Sequence, residues 1–198
     1  MRRAVFLDRD GVINENRPDY VKSLEEFVVL PGVLQALCLL SNTEMSVIVV
    51  SNQSAINRGL VNTETVEEIN RHMIDLAQSV GGRIDAVFYC PHRPEEGCDC
   101  RKPQPGLLMK ATRQLDIHLP GSYMVGDALS DVQAALRVGV QPLMVLTGRG
   151  RKQAALLIEQ GLEKVPVFKD LREAARWILK QESAPSSTPT ARTSTQTL

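Results

Sequence analysis

Asp8 and Asp10 stand one residue apart at the end of a short apolar run, Ala4-Val5-Phe6-Leu7. Three further places carry matching chemistry. Ser51-Asn52 follows the run Val47-Ile48-Val49-Val50, Lys102 directly precedes Pro103, and Gly126-Asp127 follows Tyr123-Met124-Val125, with Asp131 a helical turn on. Each alone is ordinary: acids after a strand are commonly solvated, Gly-Asp is a frequent turn dipeptide, and a lysine before proline is often merely exposed. As a set they describe a reaction. Carboxylates gathered in one place repel unless a cation joins them, and hard oxygen donors suit Mg²⁺, which takes few protein ligands, several waters and a substrate phosphate. A hydroxyl, an amide and an ammonium beside them supply donors for phosphate oxygens. An aspartate approaching a phosphate dianion meets strong repulsion, which Mg²⁺ and Lys102 would offset. One carboxylate can then form an aspartyl-phosphate, while a second acid protonates the leaving alcohol and later activates water.

A second cluster is Cys90-Pro91-His92 followed, after a short loop, by Cys98-Asp99-Cys100. Two ligand pairs, each spaced by one residue, can fold around one ion. Three thiolates and an imidazole suit tetrahedral Zn²⁺, and a full ligand set makes such a site structural. The intervening Arg93-Pro94-Glu95-Glu96-Gly97 has no apolar anchor of its own. A disulfide is the weaker alternative in a reducing compartment. The fourth cysteine, Cys38, lies in the apolar stretch Ala36–Leu40 and is expected in the core. Because Arg101-Lys102 follows Cys100 directly, the ion would fix the backbone that presents Lys102.

The elements that must position these residues alternate. Strands are expected at Ala4–Leu7, Val47–Val50, Ile84–Tyr89, Tyr123–Val125, Pro142–Leu146 and Val165–Phe168. Helical patterns fall between them: from Pro31-Gly32 through Leu40, from an N-cap at Thr63 to Gly81-Gly82, over Pro105–Leu115, Ser130–Val138 and Lys152–Gln160, and finally over Leu171–Leu179. Such alternation predicts an α/β fold, a doubly wound parallel sheet sandwiched by helices, in which the carboxyl ends of the strands form one rim. All four reactive places lie on that rim or just beyond it. Residues 1–181 are expected to form this unit, with a metal loop over 90–100, and there is no room for a large cap between strand one and Ser51. Residues 182–198, rich in Ser, Thr and Pro, are expected to be a disordered tail without a catalytic role.

Composition narrows the classes further. The chain has 198 residues, 43% of them hydrophobic, enough for a substantial core. Lys and Arg together number 23, Asp and Glu 23, and aromatics make up 4%, a balance that argues against a dedicated nucleic-acid binder. The apolar run behind Met1-Arg2-Arg3 is too short for a signal-peptide core, and no stretch approaches a membrane span. A cytoplasmic monomer without nucleic-acid or membrane partners is the expectation.

Asp8-x-Asp10-Gly11-Val12, Ser51-Asn52, Lys102 and Gly126-Asp127-x-x-x-Asp131 resemble the four motifs of the haloacid dehalogenase superfamily, over residues 4 to about 180. The resemblance implies that Asp8 is the nucleophile and Asp10 the general acid/base. It implies that Mg²⁺ is held by Asp8, the backbone carbonyl of Asp10, and Asp127, and that Ser51 and Lys102 grip the phosphoryl group. Asp131 would support the metal shell or orient Lys102. Dehalogenases of the superfamily lack the second aspartate of the first motif, so Asp10 points to phosphoryl transfer.

Cys90-Pro-His92, Cys98-Asp-Cys100-Arg-Lys-Pro103 is similar to a zinc-bearing phosphatase group within that superfamily, which acts on heptose 1,7-bisphosphate or on histidinol phosphate. Asn52-Gln53-Ser54-x-Ile56-x-Arg58-Gly59, Tyr20-Val21, Pro103-x-Pro105-Gly106 and Thr147-Gly148 favour the heptose branch, hence removal of the 7-phosphate on the route to nucleotide-activated heptose. By the same likeness Asn16, Arg17, Asp19 and Tyr20 contact the sugar bisphosphate, as do Ser51, Asn52, Gln53, Ser54, Arg101 and Lys102. Arg58, like Asp131, is expected in a supporting role. Ala128 is counted with the substrate contacts, at a position where some members carry a basic residue near substrate. Arg101 suits the second phosphate through its two-pronged fork. A histidinol-phosphatase is the nearest rival and a phospho-acceptor signalling module a remoter one. A receiver module would share the carboxylates, hydroxyl and lysine but has no zinc loop.

Overall fold

The computed structural model describes residues 2–183. Six strands, β1 (Ala4–Leu7), β2 (Ser46–Asn52), β3 (Ala86–Cys90), β4 (Tyr123–Gly126), β5 (Gln141–Val145) and β6 (Val167–Phe168), alternate with six helices: α1 (Val33–Ser41), α2 (Thr63–Ser79), α3 (Gly106–Leu115), α4 (Leu129–Leu136), α5 (Gly150–Glu159) and α6 (Leu171–Ser183). The strands form one sheet in the order β3-β2-β1-β4-β5-β6, every pairing parallel. The expected doubly wound α/β fold is the observed one.

Strand side chains alternate between the two faces. Val5, Leu7, Val47, Val49 and Val125 point to the face covered by α1, α2 and α6, where Leu37, Leu40, Ile69, Met73 and Ile178 complete the core. Phe6, Ile48, Val50 and Met124 point to the other face, against Leu107, Leu108 and Ala111 of α3 and Ala134 and Ala135 of α4. A smaller cluster of Val132, Met144, Leu157 and Val165 seats α5. Strands buried on both faces read as unbroken apolar runs, which is why β1 and β2 stand out in the sequence.

The order of strands reverses between β1 and β4, since β2 and β3 continue to one side of β1, β5 and β6 to the other side of β4. In open α/β sheets the crevice beyond that reversal is where ligands sit. Leu7 is in register with both Val49 and Val125, so Asp8, Ser51 and Asp127 emerge at adjacent points on the rim.

Several boundaries differ from the sequence expectation. Helix α2 is capped by Asn62 rather than Thr63: its side-chain oxygen accepts from the Thr65 N–H at 2.7 Å. The last helix runs to Ser183, so Glu182, expected in the tail, is helical and anchored. Its carboxylate pairs with Arg3 and accepts from the Tyr123 hydroxyl at 3.1 Å. The rest of the expected tail, 184–198, lies outside the described residues. Among the described residues no helix is long and apolar enough to cross a membrane.

Candidate active site

Asp8 leaves β1 buried, and its carboxylate Oδ1 receives Lys102 Nζ at 2.8 Å. The same ammonium lies 2.7 Å from Asp131 Oδ1 and donates to the Val50 carbonyl at 2.8 Å. Asp131, in the first turn of α4, also accepts from the Ala128 N–H at 3.1 Å through Oδ2. Asp127, just past β4, is fully buried, and carboxylate oxygens of Asp8, Asp127 and Asp131 lie within 4.8 Å of one another. Asp127 Oδ2 accepts from the Arg149 N–H at 2.8 Å, and Arg149 Nη2 lies 3.1 Å from Oδ1.

Charge in this cluster is not balanced. Burial, opposed by Lys102 but aided by Asp131 and Asp10, pushes the Asp8 carboxyl up to about 6. Burial and the nearby Asp8 also raise Asp127 against the pull of Arg149. Burial works against the Lys102 ammonium, but Asp131 and Asp8 outweigh it and hold it charged. Excess negative charge carried on buried oxygens is what a hard divalent cation relieves, so the donor set fits Mg²⁺.

The backbone is shaped to match. Gly11 (φ +94°) and Gly148 (φ +54°) flank the Asp127 carboxylate so closely that a β-carbon on either would stand 2.1 or 2.3 Å from Oδ2. Thr147 Oγ1 donates to the Gly11 carbonyl at 2.6 Å and ties the loop after β5 to the loop after β1.

Asp10 faces a different set of partners. Burial alone would raise its carboxyl, but Arg9, Asn14 and Gln53 hold it below the ordinary carboxylate range. Ser51 Oγ, at the end of β2, accepts from Gln53 Nε2 at 2.7 Å. Asn52 fixes the far side of the site: its Oδ1 accepts the Lys102 N–H at 3.0 Å, and its Nδ2 donates to the Lys102 carbonyl at 3.1 Å.

The residues sit in a cleft of about 540 Å³, within the range of small-molecule sites. Asp8, Asp10, Asn16, Arg17, Tyr20, Ser51, Asn52, Gln53, Ser54, Arg101, Lys102 and Asp131 all line it. Two expected contacts, Asp19 and Ala128, and the supporting residue Arg58 do not. Asp19 is exposed and bonded to Lys22 Nζ at 2.8 Å and to Arg17 Nε at 3.3 Å. Ala128 is buried at the start of α4, and exposed Arg58 lies outside the lining. Of the lining residues that the sequence does not assign to the site, Pro18, Val21, Pro94, Ser130 and Arg149, only Arg149 is charged. Its position just past β5, on the same rim, is the signal that marks it. A larger hollow of about 930 Å³ involves Arg2, Arg3 and Arg83 away from this rim, but Arg83 there is spent on the carbonyls of Ser41, Thr43 and Met45.

The cysteine cluster closes as expected. Cys90, Cys98 and Cys100 Sγ atoms lie 3.0 to 3.5 Å apart, and His92 Nδ1 is 3.5 Å from Cys90 and 3.3 Å from Cys100. A centre shared by such donors lies about 2 Å from each, near the zinc–imidazole and zinc–thiolate bond lengths. All four cysteines of the chain are free thiols, so the disulfide alternative is not the observed arrangement. Arg101 Nη1 donates to the His92 carbonyl at 3.1 Å, joining the loop to the cleft wall.

Comparison with known proteins agrees with this geometry. A family model described as HAD-hydrolase-like matches residues 99–174. The D-glycero-beta-D-manno-heptose-1,7-bisphosphate 7-phosphatase of Bordetella bronchiseptica is 42% identical over 180 residues, spanning 90% of this chain and 99% of that protein. The enzyme of the same name from Pseudomonas putida is 42% identical over 89% of this chain and 99% of its own. The crystal structure of the D,D-heptose 1,7-bisphosphate phosphatase from B. bronchiseptica, complexed with magnesium and phosphate, superposes with a TM-score of 0.84 over 90% of this chain and 99% of that one, at 42% identity. A Burkholderia thailandensis D,D-heptose 1,7-bisphosphate phosphatase gives 0.67 at 36% identity over 92% of this chain and 100% of that one. With its rim of carboxylates around a buried lysine, its cysteine–histidine loop and likeness along nearly all of its folded length, this chain belongs to the D-glycero-D-manno-heptose-1,7-bisphosphate 7-phosphatase family of haloacid dehalogenase-like hydrolases.

Proposed function

We propose that the chain is a Mg²⁺-dependent phosphatase that removes the 7-phosphate of D-glycero-D-manno-heptose 1,7-bisphosphate. The β anomer, which the names of the relatives carry, is the preferred substrate. The observation that carries this reading is the position of Lys102 Nζ, buried between Asp8 and Asp131 at the floor of a cleft that Arg17, Arg101 and Arg149 also line. A bisphosphate carries two dianions. The floor takes the reacting one, and the guanidinium groups offer two-pronged donors to the other.

Asp8, Asp127 and the Asp10 carbonyl would hold Mg²⁺, which when bound supplies positive charge against the repulsion between anions. Asp8 attacks phosphorus through a carboxylate oxygen. The bond between phosphorus and the C7 oxygen breaks, its electron pair stays on that oxygen, and Asp10, which takes up a proton as the negative charge of the bisphosphate enters the cleft, gives it that proton. Lys102 and Ser51 hold the transferring phosphoryl oxygens. Water then attacks the aspartyl-phosphate, Asp10 takes its proton, and Asp8 is released as a carboxylate together with inorganic phosphate. Cys90, His92, Cys98 and Cys100 would hold zinc, which would brace the backbone at Arg101 and Lys102 away from the bonds being made and broken.

Phosphate release from both anomers of the bisphosphate and from histidinol phosphate, with and without Mg²⁺, tests the reading. The β-bisphosphate should give the highest kcat/KM. A higher value for histidinol phosphate would overturn the substrate assignment, and an unchanged rate in Asp8→Asn would overturn the mechanism.

A further inference from the structure

Behind the reacting groups lies a polar network more elaborate than gripping a phosphate requires. Arg9, between the two motif aspartates, is turned into the protein and only 1% exposed. Its Nη2 donates to Asp10 Oδ1 and Oδ2, at 3.2 Å each, and to Gln53 Oε1 at 2.9 Å. Nη1 donates to Oδ1 of Asn70, a buried residue of α2, at 3.3 Å. Gln53 directs its amide nitrogen to Asp10 Oδ2 at 2.6 Å and to Ser51 Oγ at 2.7 Å. Asn14 Nδ2 holds Asp10 Oδ1 at 2.9 Å. Both oxygens of Asp10 are thus fixed by donors that approach from the protein side, while the residue itself lines the cleft.

A buried guanidinium is a poor device for stability alone, since its desolvation offsets most of what its pairing gains and an apolar replacement is often neutral or better. Its planar fork is well suited to another task. It holds a carboxylate and an amide in one plane at a fixed angle, anchored at its far end on a helix. A proton donor needs that kind of support, because transfer depends on heavy-atom reach to the departing oxygen.

We infer that Arg9, together with Gln53, is a positioning residue that sets the direction from which the Asp10 carboxyl meets the departing sugar oxygen. The inference rests on the phosphatase reading, with Asp10 as the donor. In the step concerned the phosphorus–oxygen bond breaks, the electron pair stays on the sugar oxygen, and the proton that Asp10 takes up as the substrate's negative charge enters the cleft passes to it. Arg9 exchanges no proton and touches no substrate.

Leaving groups separate this role from a structural one. A sugar phosphate needs a proton on its departing alkoxide, whereas 2,4-dinitrophenyl phosphate releases a stable phenolate without one. In Arg9→Met the ratio of kcat/KM on the heptose bisphosphate to kcat/KM on the aryl ester, which reads phosphoryl transfer to Asp8 and not the hydrolysis both esters share, should fall about 100-fold, the lower end of what general acid catalysis contributes. Arg9→Lys should restore part of that ratio. In an Asp10→Asn background, Arg9→Met should change the ratio no further. An equal fall in kcat/KM on both esters, or a further fall of the ratio in the Asp10→Asn background, would overturn the inference. Circular dichroism reports whether Arg9→Met folds. Where it does not, Asn70→Leu, which releases the far end of the Arg9 guanidinium from a residue outside the cleft lining, decides by the same ratio, and an unchanged ratio overturns the inference. A wild-type chain inert on both esters would overturn the phosphatase reading and this inference with it.

Discussion

Asn52 and Lys102 clasp each other through two hydrogen bonds: the amide oxygen of Asn52 takes the Lys102 N–H at 3.0 Å, and its amide nitrogen reaches the Lys102 carbonyl at 3.1 Å. The end of β2 thereby holds a loop residue 50 positions later in the chain as if it were the next strand. Only an amide side chain offers a donor and an acceptor in this spacing. The lysine backbone is fixed so that its ammonium arrives between two carboxylates.

Replacing that amide should therefore act on catalysis more than on the fold. Asn52→Leu is expected to lower kcat/KM about 10- to 100-fold. It should reduce stability by about 1–3 kcal/mol, the usual cost of stranding a buried polar group. Phosphate-release kinetics and urea unfolding measure the two effects. Full activity in the variant would show that Lys102 is held by other means.

The loop after β5 is predicted to govern metal affinity. Gly148→Ala puts a β-carbon 2.3 Å from Asp127 Oδ2 and 2.5 Å from the Gly11 α-carbon, at a φ that disfavours side chains. Titration calorimetry should show Mg²⁺ binding weakened roughly 10-fold or more, about 1.4 kcal/mol. Gly139→Ala is the control: it also has positive φ but meets nothing within 4 Å, so it should cost only the backbone strain of about 1–2 kcal/mol. Equal Mg²⁺ affinity in both variants would remove the loop from the metal site.

Loss of one ligand of the proposed zinc site should propagate to Lys102. Cys98→Ser is expected to drop bound zinc well below one per chain and to open the 93–101 segment to proteolysis, with slower turnover at saturating Mg²⁺. Metal analysis and limited digestion would check it. Full zinc content together with full activity would break the link between the loop and Lys102.

Alkaline pH should loosen the contact between Tyr123 and Glu182. Burial, with the Glu182 carboxylate beside it, pushes the Tyr123 hydroxyl up from 10.0 to about 12. A group whose folded value is raised contributes fully below its unfolded value, and that contribution is lost as pH rises through the folded one. Urea midpoints should therefore fall between about pH 10 and pH 12 in the wild type and fall less in Tyr123→Phe, which has no hydroxyl to ionise. Parallel curves for the two proteins would contradict the assignment.

The rim of the site was legible because parallel strands write themselves as short apolar runs, and the reactive residues stand where those runs stop. The cysteine–histidine loop was legible because its spacing leaves few alternatives. Other features depend on partners far along the chain. Strand β3 begins at Ala86 rather than Ile84 because the carboxylate of Asp85 takes the Val47 N–H at 2.7 Å in place of a ladder bond. Pro166, unable to donate, gives only its carbonyl to Met144 at 2.9 Å, and β6 starts one residue later. Helix α6 continues through Glu182 because Arg3 and Tyr123 await it. Arg9 escaped notice because an arginine flanked by acids reads as a solvated surface residue. Its burial is decided by Asn70, on a helix with no sequence relation to the motif.

The lateness of α6 has a consequence for how the protein is made. Leu171, Ala174, Ala175 and Ile178 seal one side of the sheet, packed chiefly against α1, which is translated early, and against β5 and β6. Every reactive side chain leaves the ribosome before that seal does. A nascent chain thus carries its complete set of proposed catalytic groups while one flank of its sheet is still open to water and to chaperones. A stop codon before Leu171 would leave that state permanent, and the cell would meet it as a degradation substrate.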